Sequence, residues 1–235
     1  MRPSAPLIVG IAGGTGAGKS TIARHLAETV RRAQVGCLDL DSYYHDLNPL
    51  SPEERALVNF DHPDALDWSV FCQDLARLKR GESIAKPRYD FTTHTRMSGA
   101  AVVVPGEVLL VEGLMLFVNE RARALLDVKV YIEAPADIRL LRRLERDVRE
   151  RHRTVQGSMR QYTEFVRPMH EEFIAPTKGM ADLVVPGWGH QGTALAALTA
   201  LIEQMAPSTS VVSPMPEAPY QDAVGTHVDI MRGAS

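Results

Sequence analysis

The residues Gly13-Gly14-Thr15-Gly16-Ala17-Gly18-Lys19-Ser20 fit the pattern G-x-x-x-x-G-K-[ST] in full. They follow an apolar run and open a helical pattern at Thr21-Ile22-Ala23. Glycines let the backbone turn sharply, so successive N–H groups converge on phosphate oxygens, and the helix N-terminus adds its partial positive charge. Lys19 is placed to reach β/γ-phosphates and Ser20 to offer its hydroxyl to Mg²⁺. The pattern predicts a nucleoside triphosphate site; the competing reading is a glycine-rich turn without a ligand. Asn occurs only at 48, 59 and 119 and never precedes Lys, so the Asn-Lys-x-Asp signature of guanine-reading GTPases is absent.

Two carboxylates stand at the ends of apolar runs. Asp41 leaves the run Cys37-Leu38-Asp39-Leu40, and ligands of open α/β sheets bind at the carboxyl ends of strands. Asp41 is therefore a candidate base for an attacking hydroxyl or a candidate Mg²⁺ ligand, with a turn or helix cap as the alternative; Asp39 is the weaker candidate. Glu112 closes Val108-Leu109-Leu110-Val111. An unpaired buried acid costs several kcal/mol on an order-of-magnitude scale, so Glu112 reads as a magnesium group acting through water or as half of a buried ion pair. Between Arg139 and Arg153 stand seven arginines and no lysine. Ile138, Leu141, Leu144 and Val148 form an apolar stripe at helical spacing, which leaves Arg139, Arg142 and Arg149 as a solvated face paired with Glu145, Asp147 and Glu150. Arg143, Arg146, Arg151 and Arg153 are candidates for a phosphate clamp, because arginine's planar fork suits phosphate.

The elements that must position these groups alternate. Apolar runs Leu7–Ala12, Val35–Leu40, Val108–Val111, Val128–Ile132 and Leu183–Val185 predict buried strands, and Thr21–Arg32, Ile138–Arg151 and Thr193–Met205 predict helices. That rhythm predicts a three-layer α/β fold with a five-stranded, mostly parallel sheet. Residues 41–105 break it with a helix at Trp68–Lys79 and short strands near Ile84–Arg88 and Ala101–Val104, an insertion suited to an acceptor site. The domain is expected to span 1–205 with a lid at about 146–165, and the Pro-rich 206–235 reads as a flexible tail.

Composition narrows the function classes. The 235 residues are 45% hydrophobic and 23% charged, and 26 Lys+Arg against 29 Asp+Glu give a net charge of −3. That balance argues against a protein that coats nucleic acid or an anionic membrane. Two cysteines in unrelated contexts and apolar runs too short to cross a bilayer predict a cytoplasmic protein. The eight scattered histidines predict no zinc site.

Taken together, the phosphate loop, Asp41-Ser42-Tyr43-Tyr44, Asn59-Phe60-Asp61-His62-Pro63-Asp64-Ala65-Leu66-Asp67, Pro87 through Arg96, Glu112-Gly113, Arg142 through Asp147, Gln161-Tyr162, Val166 through His170 and Pro176-Thr177-Lys178 resemble the uridine–cytidine kinases of the P-loop superfamily. The likeness covers about residues 7–205. It implies transfer of the γ-phosphoryl group of ATP or GTP, with Mg²⁺, to the 5′-hydroxyl of uridine or cytidine. Asp41 would be the general base, and Lys19 and Arg146 would act on the transferring group. The donor would lie on Gly13 through Thr21 with Arg151 and Arg153, and the metal near Ser20, Asp41 and Glu112. Asp61 and Arg143 would hold the ribose hydroxyls, Tyr89 and His94 would read the pyrimidine edge, and Tyr44, Phe60 and Phe91 would pack around the base, with Arg153 and Gln161 nearby. The family is usually homotetrameric. Alternatives are a kinase of another small alcohol, similar to phosphoribulokinase or pantothenate kinase, and an inactive nucleotide sensor. Two departures stand out. His152 replaces a glycine between the lid arginines and would be strained if its φ is positive. Pro186-Gly187-Trp188-Gly189-His190 lacks the usual arginine and carries an indole, expected to fill the helix–sheet seam rather than stack on a purine.

Overall fold

The computed structural model describes residues 5–207. Strand β1 (Leu7–Gly13) leads into α1 (Lys19–Thr29), and β2 (Val35–Asp39) ends in a 3₁₀ turn at Leu40–Tyr43. A short α2 (Pro52–Ala56) and α3 (Trp68–Lys79) precede a hairpin of β3 (Ile84–Asp90) and β4 (Thr95–Val103). Next come β5 (Val108–Glu112), α4 (Glu120–Leu125), β6 (Val128–Glu133) and α5 (Ala136–Arg149). Then α6 (Val155–Gln161) runs through π-helical turns on either side of α7 (Arg167–Met169), before β7 (Leu183–Pro186) and α8 (Gly192–Met205).

The main sheet has the order β2-β5-β1-β6-β7, with every neighbouring pair parallel. The central strands β1 and β5 are buried on both faces because helices cover both, whereas at the edge β7 buries only Val185, so the buried strand expected at Leu183–Val185 is largely exposed. Val9 and Ile11 join Leu26, Leu198 and Ile202 in one core, whereas Ile8 and Ala12 join Phe71, Leu75 and Phe117 in the other. The fold is the expected α/β architecture, and all five apolar runs are strands. The second core also takes in Ile84, Tyr89 and Val103, so the hairpin is anchored on the sheet rather than free of it.

Three local differences have physical causes. The hairpin strands are longer than the sequence predicts, because β4 is exposed over most of its length and lacks an apolar alternation to reveal it. Helix α2, not among the expected helices, starts at a reciprocal cap between Ser51 and Glu54. The third concerns α5. Half of its predicted apolar stripe faces outward, with Leu141 64% and Val148 39% exposed and Ile138 and Leu144 half-buried, while Arg139, Arg143 and Asp147 are buried. The polar face is turned inward because it packs on the phosphate loop, where charge is needed. The tail expected at 206–235 lies outside the described residues from 208 onward.

Candidate active site

Parallel pairing brings the carboxyl ends of β1, β2 and β5 together. Ile11 and Asp39 are both register partners of Glu112, which sets the phosphate loop beside Glu112 and the 3₁₀ turn that carries Asp41. Within the loop, Gly16 has φ 73°, and a Cβ there would stand 2.3 Å from the Arg139 carbonyl oxygen. No L-residue with a side chain fits that position. Lys19 Nζ donates to the Gly14 carbonyl at 3.2 Å. Thr21 stands exposed in the first turn of α1.

Ser20 Oγ donates to Glu112 Oε1 at 2.8 Å. Burial pushes Glu112 up to about 7; nearby Asp41 adds to the rise and Lys19 opposes it. Burial also raises Asp41, against the pull of Lys19. Asp39 is a structural residue. Its carboxylate pairs with Lys86 and accepts from the Ser42 N–H at 2.9 Å and from the Ser42 hydroxyl, capping the 3₁₀ turn. With the cap supplied by Asp39, Asp41 is left facing the loop lysine.

The arginines are distributed differently from the sequence reading. Arg139, expected in solvent, is 7% exposed; it donates to the Ala134 carbonyl at 3.1 Å and meets His170 Nε2 at 3.1 Å. Arg142 is exposed, yet it spans from α5 to the Gly187 carbonyl at 2.7 Å and the Gly16 carbonyl at 3.3 Å. Arg149 does pair with Glu145 on the outer face, at 3.1 Å. Asp147, expected as a solvated partner, is 0% exposed. Arg143, Arg146, Arg151 and Arg153 surround it at 3.4, 3.8, 3.6 and 3.8 Å. Sequence reasoning missed Arg139, Asp147 and His170; the one available signal for Asp147 was an acid set among arginines on both sides.

Arg143 and Arg146 donate to Thr15 Oγ1 at 3.2 and 3.4 Å, and Gln161 Oε1 accepts from Arg143 at 3.0 Å and Arg153 at 2.6 Å. Asp61 is buried. Burial raises its pKa, and Arg143 is the strongest opposing influence. The predicted aromatic residues converge. Tyr44 contacts Phe60, Tyr89 and Phe91 with ring centroids 5.8, 5.4 and 6.5 Å apart, and His94 stacks on Phe60 at 4.1 Å. Arg151 lies over Phe91 at 5.5 Å. Arg153 meets His94 Nε2 at 3.4 Å. Guanidinium only donates, so Nε2 accepts and the proton of neutral His94 sits on Nδ1. That Nδ1 and the Tyr89 hydroxyl are buried without hydrogen-bond partners.

His152 has φ 52°, the positive value that makes a non-glycine residue strained here. Trp188 corrects the expectation of a seam filler. It is 48% exposed and lines a cleft of about 350 Å³ with Glu133, Ala134, Pro135, Val184 and Pro186.

No group of three His, Cys, Asp or Glu side chains converges as a metal cage among the described residues. Mg²⁺ does not require one, since it commonly uses one or two carboxylates plus waters and substrate phosphates. The Ser20 hydroxyl, Glu112 and Asp41 are hard oxygen donors. Burial raises both acids, and a cation beside them would favour their charged forms, so these residues fit the ion.

A complete phosphate loop at the carboxyl edge of a parallel sheet, faced by an acid and overhung by buried arginines, is the equipment of a phosphoryl-transfer enzyme. The model of the phosphoribulokinase / uridine kinase family matches residues 8–194, and the chain belongs to that family; it is a kinase. It is 41% identical over 200 residues to a uridine kinase of Clostridium perfringens, covering 85% of this chain and 96% of that one. A uridine kinase of Brevibacillus brevis is 43% identical over 197 residues, covering 84% and 92%. The phosphoribulokinase structure from Rhodobacter spheroides, at 12% identity and a TM-score of 0.57 over 78% of this chain and 70% of that one, shares the fold. No helix among the described residues is long and apolar enough to cross a membrane.

Proposed function

We propose that the chain transfers the γ-phosphoryl group of ATP to the 5′-hydroxyl of uridine or cytidine, giving UMP or CMP for pyrimidine salvage. The observation that carries the acceptor assignment is the aromatic box with two buried, unpartnered polar atoms, Tyr89 Oη and His94 Nδ1. A flat heterocycle with hydrogen-bonding edges satisfies both atoms while its faces meet Tyr44, Phe60 and Phe91. A second phosphate would not suit such apolar walls. The two curated relatives named as uridine kinases support the same acceptor.

Asp61 and Arg143 would bond the ribose hydroxyls. A site built for a hydroxyl rejects the analogue that lacks it, because its polar groups are left unpaired, and ribonucleosides are therefore preferred. Asp41 takes the proton of the 5′-hydroxyl as the oxygen attacks the γ-phosphorus, and the bond to the β,γ-bridging oxygen breaks to release ADP. A raised pKa makes Asp41 the stronger base. Lys19 and Arg146 neutralise charge on the transferring group, and Arg151 and Arg153 close over it. Mg²⁺, held near Ser20, Asp41 and Glu112, would supply charge neutralisation at the phosphates. The protein is read as a cytoplasmic homotetramer, the assembly that the family resemblance implies; no helix among the described residues is long and apolar enough to cross a membrane. The test is Asp41→Asn. It is expected to lower kcat by roughly two to four orders of magnitude with uridine binding retained, as loss of a general base implies. Near-normal turnover removes Asp41 from the mechanism.

A further inference from the structure

Asp147 is the single acid at the centre of the arginine array, and its surroundings are unusual. Both carboxylate oxygens are fully buried and neither has a hydrogen-bond partner, although four guanidiniums stand 3.4 to 3.8 Å away. The Nε atoms of Arg143 and Arg146 are likewise buried and unpartnered. A buried carboxylate normally takes close, directional bonds from arginine. Here it is shared among four cations by charge alone.

The four arginines reach in two directions from that point. Arg143 and Arg146 hold Thr15 of the phosphate loop. Arg153 reaches His94 and Arg151 covers Phe91, both in the aromatic box. Gln161 ties the two arms, accepting from Arg143 and Arg153. The backbone joins them too: Arg153 N–H donates to the Asp147 carbonyl at 3.0 Å, which turns the chain after α5 back onto the array. Without the carboxylate, four like charges confined to one site repel one another and the arms lose their common anchor.

We propose that Asp147 is a positioning residue that couples the donor and acceptor subsites, so that filling one sets the arginines for the other. This rests on the nucleoside kinase reading above. Such coupling requires an element that both sites bias, here the arginines gathered on Asp147, and its expression is a reciprocal change in affinity.

The test is calorimetric titration of uridine into the protein with and without saturating Mg²⁺ and AMP-PNP, for the unmodified chain and for Asp147→Asn. The unmodified chain is expected to bind uridine at least about fivefold more tightly when the ATP analogue is present, the lower end of typical coupling factors. In Asp147→Asn that ratio falls to about one while each ligand alone still binds. An unchanged ratio in the variant, or a ratio of one in the unmodified chain that binds both ligands, overturns the proposal. Should the variant fail to fold, hydrogen exchange on the unliganded natural chain decides instead. The Arg153 amide is expected to be protected on the order of a hundredfold, and free exchange there overturns the node. If AMP-PNP binds and uridine does not, the acceptor assignment falls and the same exchange measurement judges Asp147 separately.

Discussion

Replacing His152 by glycine tests the strained link between the lid arginines. The residue sits at φ 52° in the three-residue stretch Arg151-His152-Arg153, with its imidazole exposed. A left-handed backbone costs an L-residue about 1–2 kcal/mol, with His toward the lower end because it tolerates the region better than most. Glycine removes that cost but loses a few tenths of a kcal/mol by enlarging the freedom of the unfolded chain. The net gain is about 0.5–1 kcal/mol, which for a chain of this size raises Tm by roughly 1–4 °C. If the strained turn forms only when the lid closes on ATP, the same free energy appears as an ATP KM lowered by about two- to fivefold. Thermal melts and initial-rate kinetics on His152→Gly and His152→Ala separate strain from loss of the imidazole, since alanine keeps the Cβ that causes the strain. A lower Tm together with a higher ATP KM in His152→Gly, or an equal gain in His152→Ala, refutes the reasoning.

Other perturbations are as specific. Gly187→Ala would place a Cβ 2.0 Å from the Ala17 carbonyl oxygen and 2.7 Å from Ile132 Cγ2. It should push the phosphate loop aside and weaken ATP binding by about tenfold or more, the scale of a 1–3 kcal/mol packing strain, which fluorescence titration with a nucleotide analogue checks. His94 and His170 are both held down at about 4, chiefly by burial and then by Arg153 and Arg139 respectively. The unfolded chain takes up those protons near 6.5 and the native chain only near 4, so stability complete above 6.5 is lost as pH falls through that window. Each histidine contributes about 1–3 kcal/mol to the loss after allowance for solvent, and denaturant melts at pH 7.5 and 4.5 should differ less in His170→Gln than in the natural sequence.

The sequence was most informative where a single physical rule governs a segment. Runs such as Val108–Val111 must be buried on both faces, and all such runs are strands of the sheet. The phosphate loop is legible because its glycines answer to backbone geometry within a few residues. Helix α3 falls where a helix is expected, around Trp68–Lys79, and the structure shows Asp67 capping it through the Val70 N–H. The inward face of α5 was not legible. Helical periodicity assigns the apolar side to the core, yet Leu141 is exposed and Arg139 buried, since the partner surface is a phosphate site rather than a hydrocarbon one. Trp188 misled for the converse reason: a large indole suggests a seam, but it stands at the rim of a cleft beside the edge strand β7. The aromatic box depends on the resemblance, because Phe60 lies outside the hairpin that carries Tyr89 and no local spacing links the two.

Acceptor specificity tests the central claim most directly. ADP release would be followed in a coupled assay with Mg²⁺ and ATP against uridine, cytidine, deoxyuridine, adenosine and ribulose 5-phosphate. The account predicts strong turnover of the first two, weak turnover of deoxyuridine where Asp61 and Arg143 lose a hydroxyl, and none with the others. Turnover of ribulose 5-phosphate in preference to uridine, or equal turnover of uridine and deoxyuridine, would contradict it.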